Sequence, residues 1–153
     1  MSDLSPMQRA FAAAEAAAAD GEVPVGAVIV DPDGKVLAVT GNRTERDTDP
    51  TAHAELLALR EACAVRNEPR LQDCDLYVTL EPCPMCATAI SFARIRKVVF
   101  GAYDPKGGGV EHGPRIFAQP TCHHAPEIVG GVEAGRAADL LRTFFRGRRG
   151  PPS

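Results

Sequence analysis

The chain has 153 residues and a mass of 16.2 kDa; 44% of it is hydrophobic, 24% is charged, and the formal charge is −3. These values describe one soluble globular domain over residues 1–153, large enough to bury a core. They leave no membrane span, because the Ala-rich run Phe11 to Ala19 is too short and Glu15 interrupts it, and the five cysteines, an odd number, argue against a disulfide framework.

Ser5 followed by Pro6 starts a helix that runs to about Asp20, with Gly21 as its stop. No basic segment precedes it as in a secretory signal, so a cytoplasmic protein is expected. Val25 to Val30 is a short β-branched strand, Asp31-Pro32-Asp33-Gly34 a turn, and Lys35 to Thr40 the returning strand. Gly41 to Pro50 is polar and reads as a loop. Thr51 to Arg66 is expected to be a helix with Leu56, Leu57, Leu59 and Cys63 inward and Arg60 and Glu61 outward. Asp75 to Leu80 is a strand, Pro84 to Ala93 a helix, and Arg96 to Ala102 a further strand. Asp104 to Pro126, rich in Gly and Pro, reads as largely irregular. Glu127 to Val129 is a last short strand, and Gly135 to Arg149 an amphipathic helix carrying Leu140, Leu141, Phe144 and Phe145. Helices alternating with strands after an initial hairpin predict an α/β fold, a three-layer α/β/α sandwich around a central mixed five-stranded sheet.

Two short stretches carry the chemistry. Thr51-Ala52-His53-Ala54-Glu55 and Leu80-Glu81-Pro82-Cys83-Pro84-Met85-Cys86 each fall at a predicted helix start. Together they supply one imidazole, two thiols and a carboxylate. Cys83 and Cys86 lie three apart, so one helical turn can aim both at one ion. The helix dipole favours thiolate there. Three protein ligands with an open fourth position define a catalytic zinc site, whereas four close a structural one. His53, Cys83 and Cys86 are therefore the candidate ligands of one Zn2+ per subunit. Glu55, two residues from His53, is left to carry protons. Two other arrangements stand beside this one: a closed structural site with Cys63, Cys74 or Cys122 as fourth ligand, and a second metal at Cys122-His123-His124. Adjacent residues chelate one ion poorly.

Charge is unevenly spread. Residues 1–90 hold 7 Lys/Arg against 15 Asp/Glu, a balance of −8; residues 91–153 hold 10 against 5, a balance of +5. The basic end, with Arg142, Arg146, Arg148 and Arg149, suits a polyanion or a helix C-terminus whose dipole prefers cations.

The pairing H-x-E then P-C-x-x-C is the signature of zinc-dependent nucleobase deaminases, and the match extends further. Val23-Pro24-Val25-Gly26-Ala27-Val28, Gly41-Asn42-Arg43, Asp49-Pro50-Thr51-Ala52-His53-Ala54-Glu55, Leu76-Tyr77-Val78-Thr79-Leu80-Glu81-Pro82-Cys83, Arg94-Ile95 and Val98-Val99-Phe100-Gly101-Ala102 follow in register. On these residues the chain resembles the bacterial tRNA-specific adenosine deaminases of the cytidine deaminase-like superfamily. The resemblance implies hydrolytic deamination of adenosine to inosine at wobble position 34 of a tRNA, a tRNA for arginine. A zinc-activated hydroxide would attack C6, with Glu55 as proton shuttle. It also implies a homodimer whose site borrows from the second chain. By position, Asn42 corresponds to a contact with the target base, or else is a turn residue beside Gly41. Pro24 and Val25 correspond to pocket walls. Ala102, Tyr103, Asp104 and Lys106 correspond to an RNA-facing loop. Phe144, Phe145, Arg148 and Arg149 correspond to a terminal helix on the anticodon stem-loop, the two Phe alternatively being plain core. Tyr103 stands where familiar members carry Arg, and Lys106-Gly107-Gly108-Gly109 and the stretch 110–124 depart from their pattern. A deaminase of free guanine, cytosine or cytidine shares the zinc motif. A non-catalytic RNA-binding subunit would have no use for Glu55.

Overall fold

A computed structural model of the protein describes residues 4–149, with the side chains of Arg148 and Arg149 outside the described set. Helix α1 spans Pro6–Ala19, strand β1 Gly26–Val30, β2 Val36–Gly41, α2 Ala54–Arg66, β3 Asp75–Leu80, α3 Pro84–Ala93, β4 Lys97–Ala102, β5 Glu127–Val129 and α4 Ala134–Arg149. The segment between β4 and β5 is irregular apart from one 3-10 turn, Ile116–Ala118. The predicted order and type of every element therefore hold within this span, with all ends but the start of α2 displaced by a residue or so.

The ends follow from local chemistry. Ser5 caps α1 by accepting from the Gln8 N–H while the Gln8 side chain accepts from the Ser5 N–H, a complete capping box ahead of Pro6. Asp31 Oδ1 accepts from the Asp33 and Lys35 N–H groups and closes the β1–β2 turn. One expected boundary moves by three residues: α2 begins at Ala54, not Thr51, with His53 as an extended N-cap. Thr51 is instead occupied with Asp49, whose Oδ1 accepts from both its N–H and its hydroxyl.

The five strands run in the order β2-β1-β3-β4-β5. β1 is antiparallel to β2 and β3, whereas β4 is parallel to β3 and β5. Alternation along β1 divides the core. Ala27 and Ile29 join Ala54, Ala58 and Leu59 of α2 and Ala87 and Ile90 of α3. Val28 and Val30 join Met7, Ala10 and Phe11 of α1 and Ala137 of α4. The sheet is thus the middle of three layers, as expected. On α2 the inward stripe is Ala54, Glu55, Ala58, Leu59 and Ala62, and Leu57 is only half-buried, so the expected inward Leu57 is corrected. Small alanines on that stripe let the helix lie close to the sheet.

Candidate metal centre

Helices α2 and α3 lie on the same face of the sheet, and their N-caps are His53 and Cys83. Both caps have extended backbones (φ −75°, ψ 150° and φ −72°, ψ 170°), so each side chain leaves just ahead of its helix. Cys86, one turn into α3, is fully buried. His53 Nδ1 lies 3.5 Å from the Sγ of Cys83 and 3.5 Å from the Sγ of Cys86. Zinc held tetrahedrally at ordinary Zn–S and Zn–N lengths would separate a nitrogen and a sulfur ligand by about 3.6 Å. The three donors therefore fit zinc as they stand.

These are the only His, Cys, Asp and Glu donors among the described residues that converge in this way. The closed site with a fourth cysteine finds no support in that set. Cys74 accepts instead from Arg66 Nη1 at 2.8 Å, and Cys63 packs beside the core. Cys122-His123-His124 do not converge on an ion. Cys122 meets Ser91 Oγ and the His124 carbonyl, and His124 Nε2 meets the Ile95 carbonyl at 2.6 Å, pinning the loop to the end of α3.

The thiol pair is polarised. Donation from the Cys86 thiol, then His53 and the Cys86 N–H, hold Cys83 down to about 4 against the opposing effect of burial. The Cys86 thiol is pushed far up by the same bond and by burial. His53 is raised by its hydrogen bond to Cys83. Cys83 is thus a thiolate at the N-terminus of α3, where its sulfur also faces the Cys86 N–H at 3.5 Å.

Glu55, on the first turn of α2, is 4% exposed and lies against the Cys86 thiol. Burial, helped by the charge of Cys83, pushes its carboxyl up to about 7. A carboxyl in that range both takes and gives a proton near neutrality, which suits general acid–base work.

The other sequence-singled residues fall into three groups. Asn42 is buried beside the centre, and its Oδ1 accepts from the Ala54 N–H at 3.2 Å. It thus supplies the side-chain bond to the start of α2 that His53, committed to the thiols, does not make. Thr40 Oγ1 donates to the Ala54 carbonyl at 2.6 Å from the same strand end. Pro24 and Val25 are buried where the chain enters β1. Ala102 ends β4 with its methyl buried, and its carbonyl accepts from the Glu81 N–H. Asp104 Oδ1 accepts from the Lys106 and Gly107 N–H groups, and Lys106 is exposed. On α4, Phe144 is half-buried and Phe145 is 46% exposed, their rings edge to face at 5.3 Å. The plain-core account therefore fails for Phe145.

Two buried carboxylates went unremarked in the sequence. Glu22 takes the N–H groups of Glu45 and Arg46 and orders the loop before α2. Glu81 is buried next to the ligand turn, and five hydrogen bonds to the 104–112 loop hold it below the usual carboxylate range although burial alone would raise it. The available signal was a charge set directly between the apolar strand end at Leu80 and the Pro82-Cys83 turn.

Comparison with known proteins agrees with this geometry. A family model for the cytidine and deoxycytidylate deaminase zinc-binding region matches residues 1–102. The chain is 54% identical to a tRNA-specific adenosine deaminase of Agrobacterium fabrum over 143 residues, 94% of this chain and 93% of that one. A solved structure from biochemical and structural studies of A-to-I editing by tRNA:A34 deaminases at the wobble position of transfer RNA superimposes with a TM-score of 0.87 at 54% identity, covering 89% of this chain and 98% of that one. A guanine deaminase from Bacillus subtilis superimposes with a TM-score of 0.65 at 30% identity, covering all of this chain and 98% of that one.

Proposed function

Because the chain belongs to the cytidine and deoxycytidylate deaminase zinc-binding family, and within it to the tRNA-specific adenosine deaminases, we propose that it converts adenosine to inosine at position 34 of a transfer RNA, that for arginine. The observation that carries the reading is three donors placed for one zinc with a buried Glu55, its carboxyl pushed up to about 7, against them. Zinc held by His53, Cys83 and Cys86 supplies a Lewis acid that makes water a nucleophile near neutral pH. Glu55 accepts a proton from the attacking water at its carboxylate and passes it to a ring nitrogen of adenine, then takes the remaining proton from the same oxygen and delivers it to the amino group that leaves as ammonia. Water is consumed and ammonia released, so no oxidant or other co-substrate is needed.

Asn42 spends its oxygen on α2, leaving its NH2 group to meet the base. Pro24 and Val25 wall the base. Ala102, Asp104 and Lys106 face the RNA beyond it, and Phe144, Phe145, Arg148 and Arg149 meet the anticodon stem. An exposed aromatic beside arginines is the surface that unstacked nucleotides and phosphates recognise. A homodimer in the cytoplasm completes the reading, and no helix among the described residues is long and apolar enough to cross a membrane.

Free guanine is the competing substrate, since a guanine deaminase shares the fold. Ammonia release is to be measured with zinc-loaded protein on an arginine anticodon stem-loop, on guanine and on cytidine. Turnover of the stem-loop with none of the free compounds supports the proposal. Turnover of the free compounds alone overturns it.

A further inference from the structure

We propose that Glu81 and His112 are positioning residues: a buried carboxylate and its imidazole partner hold residues 104–112 as a fixed rim over the metal-ligand turn, and thereby set how tightly the RNA is held. The inference rests on the tRNA reading above for its substrate, but not for its geometry.

Glu81 follows β3 directly and stands two residues before Cys83, with a fully buried side chain. Its Oε1 accepts from the Asp104 N–H at 3.0 Å and from His112 Nδ1–H at 2.8 Å. Its Oε2 accepts from three successive amides, Val110 at 3.1 Å, Glu111 at 2.9 Å and His112 at 3.1 Å. Consecutive N–H groups converging on one point form the nest with which loops hold anions. Here the anion is the protein's own side chain, so the loop carries its ligand within it. A carboxylate this deeply buried is costly unless all its lone pairs are used. Loop and carboxylate must therefore order together.

The same loop lies on the turn that presents the metal ligand. The Gly109 N–H donates to the Pro82 carbonyl at 2.8 Å. A Cβ on Gly109 would stand 2.5 Å from the Pro84 nitrogen, and one on Gly108 would overlap the Glu81 carboxylate. Both contacts are too close for any side chain. From outside, Tyr103 packs its ring edge to face with both Phe100, at 5.1 Å, and His112, at 6.1 Å. His112 is thus seated between the buried acid and an exposed tyrosine. Neither Glu81 nor His112 lies among the convergent metal donors. Their action passes through the loop, whose first turn carries Asp104 and Lys106.

The test uses the zinc-loaded full chain with His112→Phe, which keeps a ring against Tyr103 but loses the donor, and His112→Asn, which restores an N–H donor near the Nδ1 position. Kinetics on the arginine anticodon stem-loop are read beside zinc content and amide hydrogen exchange over 104–112. The Phe variant is expected to raise KM about tenfold, to leave kcat within about twofold and zinc at one per chain, and to speed exchange across the loop. The Asn variant should return KM and exchange most of the way to wild type. Unchanged KM and exchange in the Phe variant would overturn the proposal. So would loss of kcat together with zinc, because that marks a support for the metal alone. If the wild type does not deaminate the stem-loop, the tRNA reading fails on its own. Exchange in the two variants then decides the clamp separately.

Discussion

The two helix starts that carry His53 and Cys83 can be set beside the last helix, α4. At the metal centre every neighbour is fixed. Glu55 and Cys86 are buried, Asn42 braces α2, and no buried side-chain nitrogen or oxygen among the described residues lacks a partner. Among the described side chains of α4 a single one, Ala137, is buried, Leu140 packs partly on the α1 side of the core, and Phe145 is exposed. A groove of about 1030 Å3 runs beside the contact of α4 with α1, lined in part by Leu140 and Phe144. Chemistry on a small ring atom needs donors held to a fraction of an ångström. Grip on a nucleic acid needs charge and ring faces, and these tolerate displacement.

The sharpest break in that contrast is Glu55→Gln. The variant should keep the fold and one zinc per chain yet lose turnover by about 10²–10⁴-fold, the usual weight of a positioned acid–base group. Metal analysis beside a single-turnover assay checks both halves, and undiminished turnover removes Glu55 from the chemistry. Next in size is the double change Arg148→Ala and Arg149→Ala. Stem-loop affinity should fall, and the slope of log K against log salt should flatten by about 1.4 to 1.8, as for two phosphates released. An unchanged slope across a salt series takes these arginines off the RNA. Asn42→Ala removes the side-chain acceptor at the start of α2 and should cost about 1 kcal/mol. That shifts Tm down by roughly 2–4 °C in a chain of this length, which a thermal melt can register. Phe145→Ser is the smallest in stability, within about 0.5 kcal/mol because the ring is already in water. It should nevertheless weaken stem-loop binding if bases stack there. A destabilised melt with unaltered binding would return Phe145 to the core and blur the contrast.

Much of this was legible without coordinates because it is local. Ser5-Pro6 starts a helix by capping chemistry, the apolar, β-branched run from Val25 to Val30 marks a strand, and H-x-E with C-x-x-C names donor types whose spacing suits one ion. The helix boundary at Thr51 was misread because Asp49 claims the Thr51 N–H and hydroxyl, a competition invisible in periodicity. Leu57 looked inward for the same reason that Leu56 and Leu59 did, yet alanines occupy most of that stripe where α2 lies against the sheet.

The sequence by itself determined which atoms are available: one imidazole, two thiols, and the order of helices and strands that carries them. The spacing to His53 already singled out Glu55 as the proton carrier; tertiary structure decided the surroundings of each buried glutamate. Glu55 and Glu81 each lie two residues from a metal ligand and both are buried. Sheet order and helix placement turn Glu55 against Cys86, where desolvation raises its carboxyl. They turn Glu81 into a ring of loop amides, where hydrogen bonds hold its charge. Burial and partners far along the chain set the proton affinity of a carboxylate, and no short stretch of residues contains either.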